Sequence, residues 1–202
     1  MPLKLTPKNV LLFVTSISPI LISSFLVLES FMYGNMKGVI YLFSLIIALT
    51  VGLSAQNTMK ISPPPGFMTR YNESGLCNIF ESPMKTNYTT PSLRALFHMF
   101  TFTYVMIGVA SKPNRSGLIF SSLLLGIMVM DYIVRVKNNS CDTTSSVMFG
   151  YIFGFISAMI MWFLIYFGWP GPEYTYYTGE DVTKRCSLDK SKTVKWKCLN
   201  TQ

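Results

Sequence analysis

The feature that most constrains this chain is a run of 22 residues, 147–168, without a charged side chain. A helix needs about 20 mainly apolar residues to cross the hydrocarbon core of a bilayer. Trp169, a residue type common at membrane interfaces, follows the run, and Pro170-Gly171-Pro172 then stops a helix. The run therefore predicts a transmembrane helix.

Four more apolar runs alternate with polar segments. They predict spans over residues 10–28, 39–55, 93–110 and 117–134. Charged residues make up 13% of the chain, against roughly 25% in a soluble domain. We therefore expect an all-α integral membrane protein, a helical bundle of about five transmembrane helices that lies in the lipid bilayer and ends in a short polar tail.

The spacing of the runs divides the chain into four parts. Residues 1–56 predict a transmembrane hairpin, because a short turn rich in glycine joins the first two runs. Residues 57–92 are a proline-rich loop, 93–168 a three-helix transmembrane region and 169–202 a basic tail that contains cysteines. The first run is longer than the core of a signal peptide and has no clear cleavage site, so we expect it to be retained as a span.

Basic residues predict the orientation. Eight lie on the side of the amino terminus and of the loops 57–92 and 135–146: Lys4, Lys8, Lys60, Arg70, Lys85, Arg94, Arg135 and Lys137. Three lie close to spans on the other side, Lys37, Lys112 and Arg115. The positive-inside rule then places the amino terminus in the cytosol and the tail on the opposite side. Three of the four Asn-x-Ser/Thr sequons fall on the predicted cytosolic side, which we interpret as chance; an inverted topology is the alternative.

Polar residues lie within two of the predicted spans. The run 93–110 is the weakest, with Arg94 at its edge and His98 inside. Such groups usually face other helices or a wet cavity. Asp131 and Arg135 are four residues apart, so they can pair on one helix face. An ion route through His98 and Asp131 would make the chain a small channel or transporter subunit, the alternative function. A packed histidine, and a charged pair that ends a span, are the commoner roles.

The residue sets of membrane enzymes are missing from the sequence. His98 is its single histidine, which excludes two-histidine phosphatases and zinc proteases with His-Glu-x-x-His. Neither Gly-x-Ser-x-Gly nor a phosphate-binding glycine loop occurs. We therefore expect no enzyme activity, no catalytic residues, no cofactor and no metal, and nucleic acid is not an expected partner.

The four cysteines, Cys77, Cys141, Cys186 and Cys198, all lie in polar segments. With five spans, the first two share one side and the last two share the other. This arrangement permits the disulfides Cys77–Cys141 and Cys186–Cys198. A zinc site would need all four on one side or further ligands. Free thiols are the other alternative, since the cytosol keeps cysteines reduced.

Two further groups of residues indicate contacts. Gly150, Gly154 and Ala158 recur every four residues, which places small residues on one helix face that another helix can approach. The neighbour is an internal helix or a second copy in a homo-oligomer.

The tail provides the second group. Lys190, Lys192, Lys195, Trp196 and Lys197 lie between its two cysteines and predict a loop that binds a partner protein through charge and an aromatic anchor. An anionic lipid surface, or a solvated tail without structure, is the alternative.

Two segments carry a resemblance to a known group. They are Cys77-Asn-Ile-Phe-Glu-Ser-Pro, with Asn87-Tyr-Thr-Thr-Pro-Ser-Leu after it, and the cysteine-bracketed tail 186–198. With the span layout, they resemble small multi-span membrane proteins of nucleocytoplasmic large DNA viruses. The resemblance implies a structural protein of the virion's internal membrane, or a minor capsid protein, that links the bilayer to neighbouring membrane or capsid proteins. It also implies that a disulfide such as Cys77–Cys141 can form on the cytosolic face.

Overall fold

The structure is a computed structural model that describes residues 7–32, 34–61, 90–111, 115–138, 141–168, 185–189 and 195–199. Its helices are α1 (Pro7–Met32), α2 (Lys37–Met59), α3 (Leu93–Ser111), α4 (Arg115–Tyr132) and α5 (Thr144–Phe167). A π-helical segment, Ile133–Asn138, continues α4. Two strands follow in the tail, β1 (Arg185–Asp189) and β2 (Lys195–Leu199).

The described part of the chain contains five helices that are long and apolar enough to cross a membrane. This confirms the prediction of a helical fold with five apolar helices. The helices extend beyond the apolar runs, as α2 shows: its predicted span was 39–55, and the helix covers Lys37–Met59. A run of apolar residues marks only the part of a helix that suits the hydrocarbon core of a bilayer, whereas the helix itself continues until its terminal backbone groups are capped.

A tight reversal joins α1 to α2. Gly34 adopts φ +63°, a left-handed conformation that favours glycine. The Ser30 hydroxyl donates to the carbonyl oxygen of Asn35, and the Ser30 hydroxyl oxygen accepts from the backbone N–H of Gly38 at 2.9 Å. The turn therefore satisfies the backbone groups that the two helix ends leave unpaired.

Helix α3 lies in the middle of the bundle, although it is the least apolar of the five. In its most apolar stretch 61% of residues are buried by protein, against 28–33% in the other four helices. It packs against α2, α4 and α5. The Thr101 hydroxyl makes a hydrogen bond of 2.7 Å with the Tyr41 hydroxyl of α2. Because α3 is surrounded by helices, its polar side chains face protein, and this removes the need for strong hydropathy.

The outer faces of the other helices are apolar. Large side chains are exposed there, including Phe31, Phe43, Ile119, Leu164 and Phe167. Soluble proteins rarely expose contiguous apolar surface of this extent, whereas lipid accommodates it.

The tail contains secondary structure that the sequence did not predict. β1 and β2 form an antiparallel two-stranded sheet in which Cys186 lies opposite Cys198 and Leu188 lies opposite Trp196. The expected short polar tail therefore includes a β-hairpin, and the fold is not helical throughout.

Candidate functional site: a buried polar cluster at one end of the bundle

The helices run in both directions through the bundle, so each of them has one terminus at the same end of the bundle. At this end, here called the polar end, α1, α3 and α5 begin and α2 and α4 finish. Two hydrogen bonds to backbone carbonyls hold this end together. Ser92 N–H donates to the Ser146 carbonyl at 3.0 Å, and the Gln56 side-chain amide donates to the Pro91 carbonyl at 2.6 Å. Five ionisable residues lie here, and we call them the polar cluster: Arg94, His98, Asp131, Arg135 and Asp142.

Arg135 and Asp142 form the central ion pair of the cluster. Arg135 Nε donates to Asp142 Oδ2 at 2.9 Å, and the two side chains are 1% and 7% exposed. The chain turns between them, because Cys141 N–H donates to the Arg135 carbonyl at 2.8 Å. Thr143 then caps α5, with its hydroxyl oxygen accepting from Ser146 N–H at 3.2 Å. The ion pair thereby fixes the end of α4 to the start of α5.

The expected pairing of Asp131 with Arg135 is not the one that forms, since Arg135 binds Asp142. The helix changes to π-helical geometry at Ile133, between the two residues. A π-helix has more residues per turn than an α-helix, so a four-residue spacing no longer aligns side chains along one face.

Asp131 remains buried beside this pair, at 7% exposure. Its Oδ1 atom has no hydrogen-bond partner among the described residues. Arg135, Arg94 and Asp142 all lie close enough to act on it electrostatically. The two guanidinium groups balance the two carboxylates of the cluster, which lowers the cost of holding these charges inside the bundle.

His98 is held by a neighbouring helix. It is 3% exposed, and its Nε2 lies 3.3 Å from the Ser18 hydroxyl of α1. The edge of its ring packs on Phe97, with 5.4 Å between ring centroids. This is the arrangement of a packed, hydrogen-bonded histidine. Among the described residues, no group of three or more His, Cys, Asp or Glu side chains could hold a metal ion.

Arg94 donates a hydrogen bond to a backbone carbonyl that has lost its usual helical donor because of a proline. Pro19 lies inside α1 and has no N–H, so the Thr15 carbonyl loses its helical donor. The Ser18 hydroxyl donates to that carbonyl at 2.8 Å, and Arg94 Nη1 donates to it at 3.4 Å. Arg94 arrives from α3, so no local pattern in the sequence of α1 indicates this contact.

The predicted small-residue face of α5 lies against α3. Gly150, Gly154 and Ala158 are buried. A Cβ built at Gly150 would lie 2.5 Å from the Ser92 carbonyl oxygen, and one at Gly154 would lie 2.5 Å from the Leu96 carbonyl oxygen. Of the two neighbours that the sequence allowed, this face therefore meets an internal helix.

The predicted cysteine and tail residues are described only in part. Cys141 is buried and does not carry a free thiol. Cys77 lies outside the described residues, so its pairing with Cys141 stays a prediction. The strand register places Cys186 and Cys198 directly opposite each other, the relation that a cross-strand disulfide requires.

Strand alternation separates the predicted partner-binding residues of the tail. Lys195 and Lys197 occupy one face of β2, and Trp196 occupies the other, in register with Leu188. Lys190 and Lys192 lie outside the described residues. The charged and aromatic positions that the sequence grouped together are thus on opposite faces of the hairpin.

Beyond the polar cluster, the interior is closed by apolar side chains. Phe100, Tyr104, Val105 and Val109 of α3 are all buried, and Phe100 and Tyr104 stack with 5.8 Å between ring centroids. The cluster can therefore hold helix ends together.

No protein-family model, curated protein or solved structure matches this chain. The viral resemblance accordingly rests on the sequence segments alone.

Proposed function

We propose that this chain is a structural integral membrane protein, with five helices that cross a bilayer and a tail that holds a neighbouring protein. The observation that supports a structural role best is the closed interior. The ion pair Arg135–Asp142, with Asp131 and Arg94 beside it, is gathered at one end, and aromatic and aliphatic side chains fill the bundle beyond it. A densely packed interior of this kind suits a rigid scaffold.

A channel or transporter subunit is the alternative. His98 and Asp131 both belong to the polar cluster, as that function would require, but each is buried beneath packed helices. Conduction would need the stacked rings of Phe100 and Tyr104 to separate. The structural role needs no such rearrangement.

Membrane integration and topology form the first test. We expect the chain to stay in the membrane pellet after an alkaline carbonate wash, because five apolar helices hold it in the bilayer. A tag at the amino terminus should be accessible from the cytosol, and a tag at the carboxyl terminus should be protected, because an odd number of spans separates the termini. Release by carbonate would contradict membrane integration, and two tags on one side would contradict five crossings.

The finer proposal places the protein in the internal membrane of a virion, where it links the bilayer to capsid proteins. It rests on the resemblance of segments 77–83 and 186–198 to viral membrane proteins. The tail supplies the contact in this proposal. A disulfide between Cys186 and Cys198 would lower the entropy that the unbound hairpin loses on binding.

Reversing the tail charges should weaken this contact. We expect peptide mapping without reduction to recover the Cys186 and Cys198 peptides joined. Changing Lys190, Lys192, Lys195 and Lys197 to glutamate should lower crosslinking of the tail to its neighbour about tenfold, since it reverses the charge of a complementary surface. Changing the same four lysines to arginine keeps the charge and serves as the control.

Three outcomes test the three parts of this proposal, which are the disulfide, the charge recognition and the virion location. Free thiols on both cysteines would contradict the disulfide. Equal crosslinking by the glutamate and arginine variants would contradict charge recognition. A crosslinked neighbour that is not a capsid or membrane protein of a virus particle would contradict the virion location.

A further inference from the structure

A groove opens between α1 and α4 on the outside of the bundle. It has a volume of ≈ 490 Å³. Leu11, Ser18 and Ile22 line it from α1, and Leu123, Gly126 and Met130 line it from α4. Leu123 and Met130 are also exposed at the surface, so the groove opens outward, where a bilayer would meet it.

The groove has the length of one membrane leaflet. On α1 it runs from Leu11 to Ile22, which at ~1.5 Å per residue is about 16 Å, roughly half of a hydrocarbon core of ~30 Å. Its outer end adjoins the polar end of the bundle, because Leu11 lies near the start of α1 and Met130 near the finish of α4. Its inner end, at Ile22, lies near the middle of the apolar stretch of α1, Val10–Met32.

A missing side chain creates the space. A Cβ built at Gly126 would meet no atom within 4 Å, whereas one built at Gly154 on α5 would meet backbone. Helices α1 and α4 thus touch without filling the volume between them. In a bilayer such a space is filled by hydrocarbon, because an empty groove forfeits the dispersion contacts of its walls.

Positive charge lies at the outer end of the groove. Arg94 Nη1 donates to the carbonyl oxygen of Thr15, a residue of the groove wall. Lys137 is exposed on the π-helical segment that follows Met130. The acids of this region, Asp131 and Asp142, are buried in the cluster. Lys137 is thus the exposed charge that a lipid headgroup would meet beside these buried acids, and a basic side chain favours a phosphate that carries net negative charge.

We propose that this groove binds one acyl chain of an anionic phospholipid, with the phosphate of that lipid at the basic outer end. The proposal rests on the proposed function, since it requires α1 and α4 to lie in a bilayer. Thr15 and Ser18 line the groove and also bond Arg94 and His98, so the bound lipid packs against the wall that supports the polar cluster.

A bulky side chain introduced into the groove tests the proposal. Full-length protein would be reconstituted in nanodiscs with equal amounts of phosphatidylglycerol and phosphatidylcholine, released into mild detergent and examined by native mass spectrometry. We expect one phosphatidylglycerol to stay bound in preference to phosphatidylcholine. Gly126→Phe should lower the lipid-bound fraction about fivefold, because the ring takes the volume of the chain.

Matched variants control for folding and surface hydrophobicity. Ser122→Phe adds the same ring to the exposed surface of α4 outside the groove lining and should leave lipid binding unchanged. Gly126→Ala adds a single carbon and should lower lipid binding less than Gly126→Phe does. The melting temperature of each variant shows whether the bundle is intact.

The possible outcomes each overturn a different part of the proposal. Equal lipid retention by the wild type and Gly126→Phe would overturn the groove as a lipid site. Equal retention of the two lipids would overturn the phosphate recognition. Dimers that Gly126→Phe converts to monomers would identify the occupant as a second copy and overturn the proposal. Release of the protein by alkaline carbonate would instead refute membrane integration, on which the proposal depends.

Discussion

Gly154→Leu should unfold or severely destabilise the bundle. A Cβ at this position would lie 2.5 Å from the Leu96 carbonyl oxygen and 3.1 Å from the Phe100 backbone nitrogen, and leucine adds three further carbons. Both contacts are backbone atoms of a helix, so no side-chain rotation relieves them. Helices α3 and α5 would have to move apart at the centre of the bundle, and overpacking typically costs 1–3 kcal/mol or more. Melting of the purified protein in detergent measures the effect.

Two control variants show whether a loss of stability comes from the clash at Gly154 or from the introduced leucine itself. Ile160→Leu changes a residue on the outer face of α5 that is 53% exposed, and it should leave the melting temperature close to that of the wild type. Gly126→Leu makes the same glycine-to-leucine change in α4, where there is open space. If Gly154→Leu melts like Gly126→Leu, close packing of α3 on α5 does not limit stability.

Arg135→Met should have the second large effect. It removes the cation of a buried pair and leaves the Asp142 carboxylate, 2.9 Å away in the wild type, without its partner. Breaking a buried pair by removing one member typically costs about 3–5 kcal/mol, because the remaining charge stays away from water. We expect a markedly lower melting temperature and loss of the packing between the end of α4 and the start of α5.

The double variant Arg135→Met/Asp142→Leu provides the matched comparison. Removing both charges eliminates the uncompensated carboxylate, so it should recover much of the stability lost in the single variant. Lys137→Met removes an exposed cation from the same π-helical segment and should change little. A single variant as stable as the wild type, or a double variant no better than the single one, would show that the pair does not hold the helix ends.

The sequence alone was sufficient to predict the five apolar helices. Their number follows from the lengths of uncharged runs, which are properties of consecutive residues and need no knowledge of neighbours. Residues 147–168 show this most directly, since α5 covers Thr144–Phe167. The spacing of Gly150, Gly154 and Ala158 likewise predicted a close-packed face, because four residues return a helix to the same side.

Tertiary structure decided which groups meet. The weakest apolar run became the central helix α3, because the helices around it bury its polar side chains. Arg135 lies four residues from Asp131 and seven from Asp142, and the change to π-helical geometry together with the turn at Cys141 selects the more distant acid. The groove at Gly126 depends on how α1 crosses α4, and the position of Cys186 opposite Cys198 depends on the pairing of β1 with β2. Hydrophobic runs fix which segments can enter a bilayer, but contacts between segments depend on relative placement in three dimensions, which local patterns do not specify.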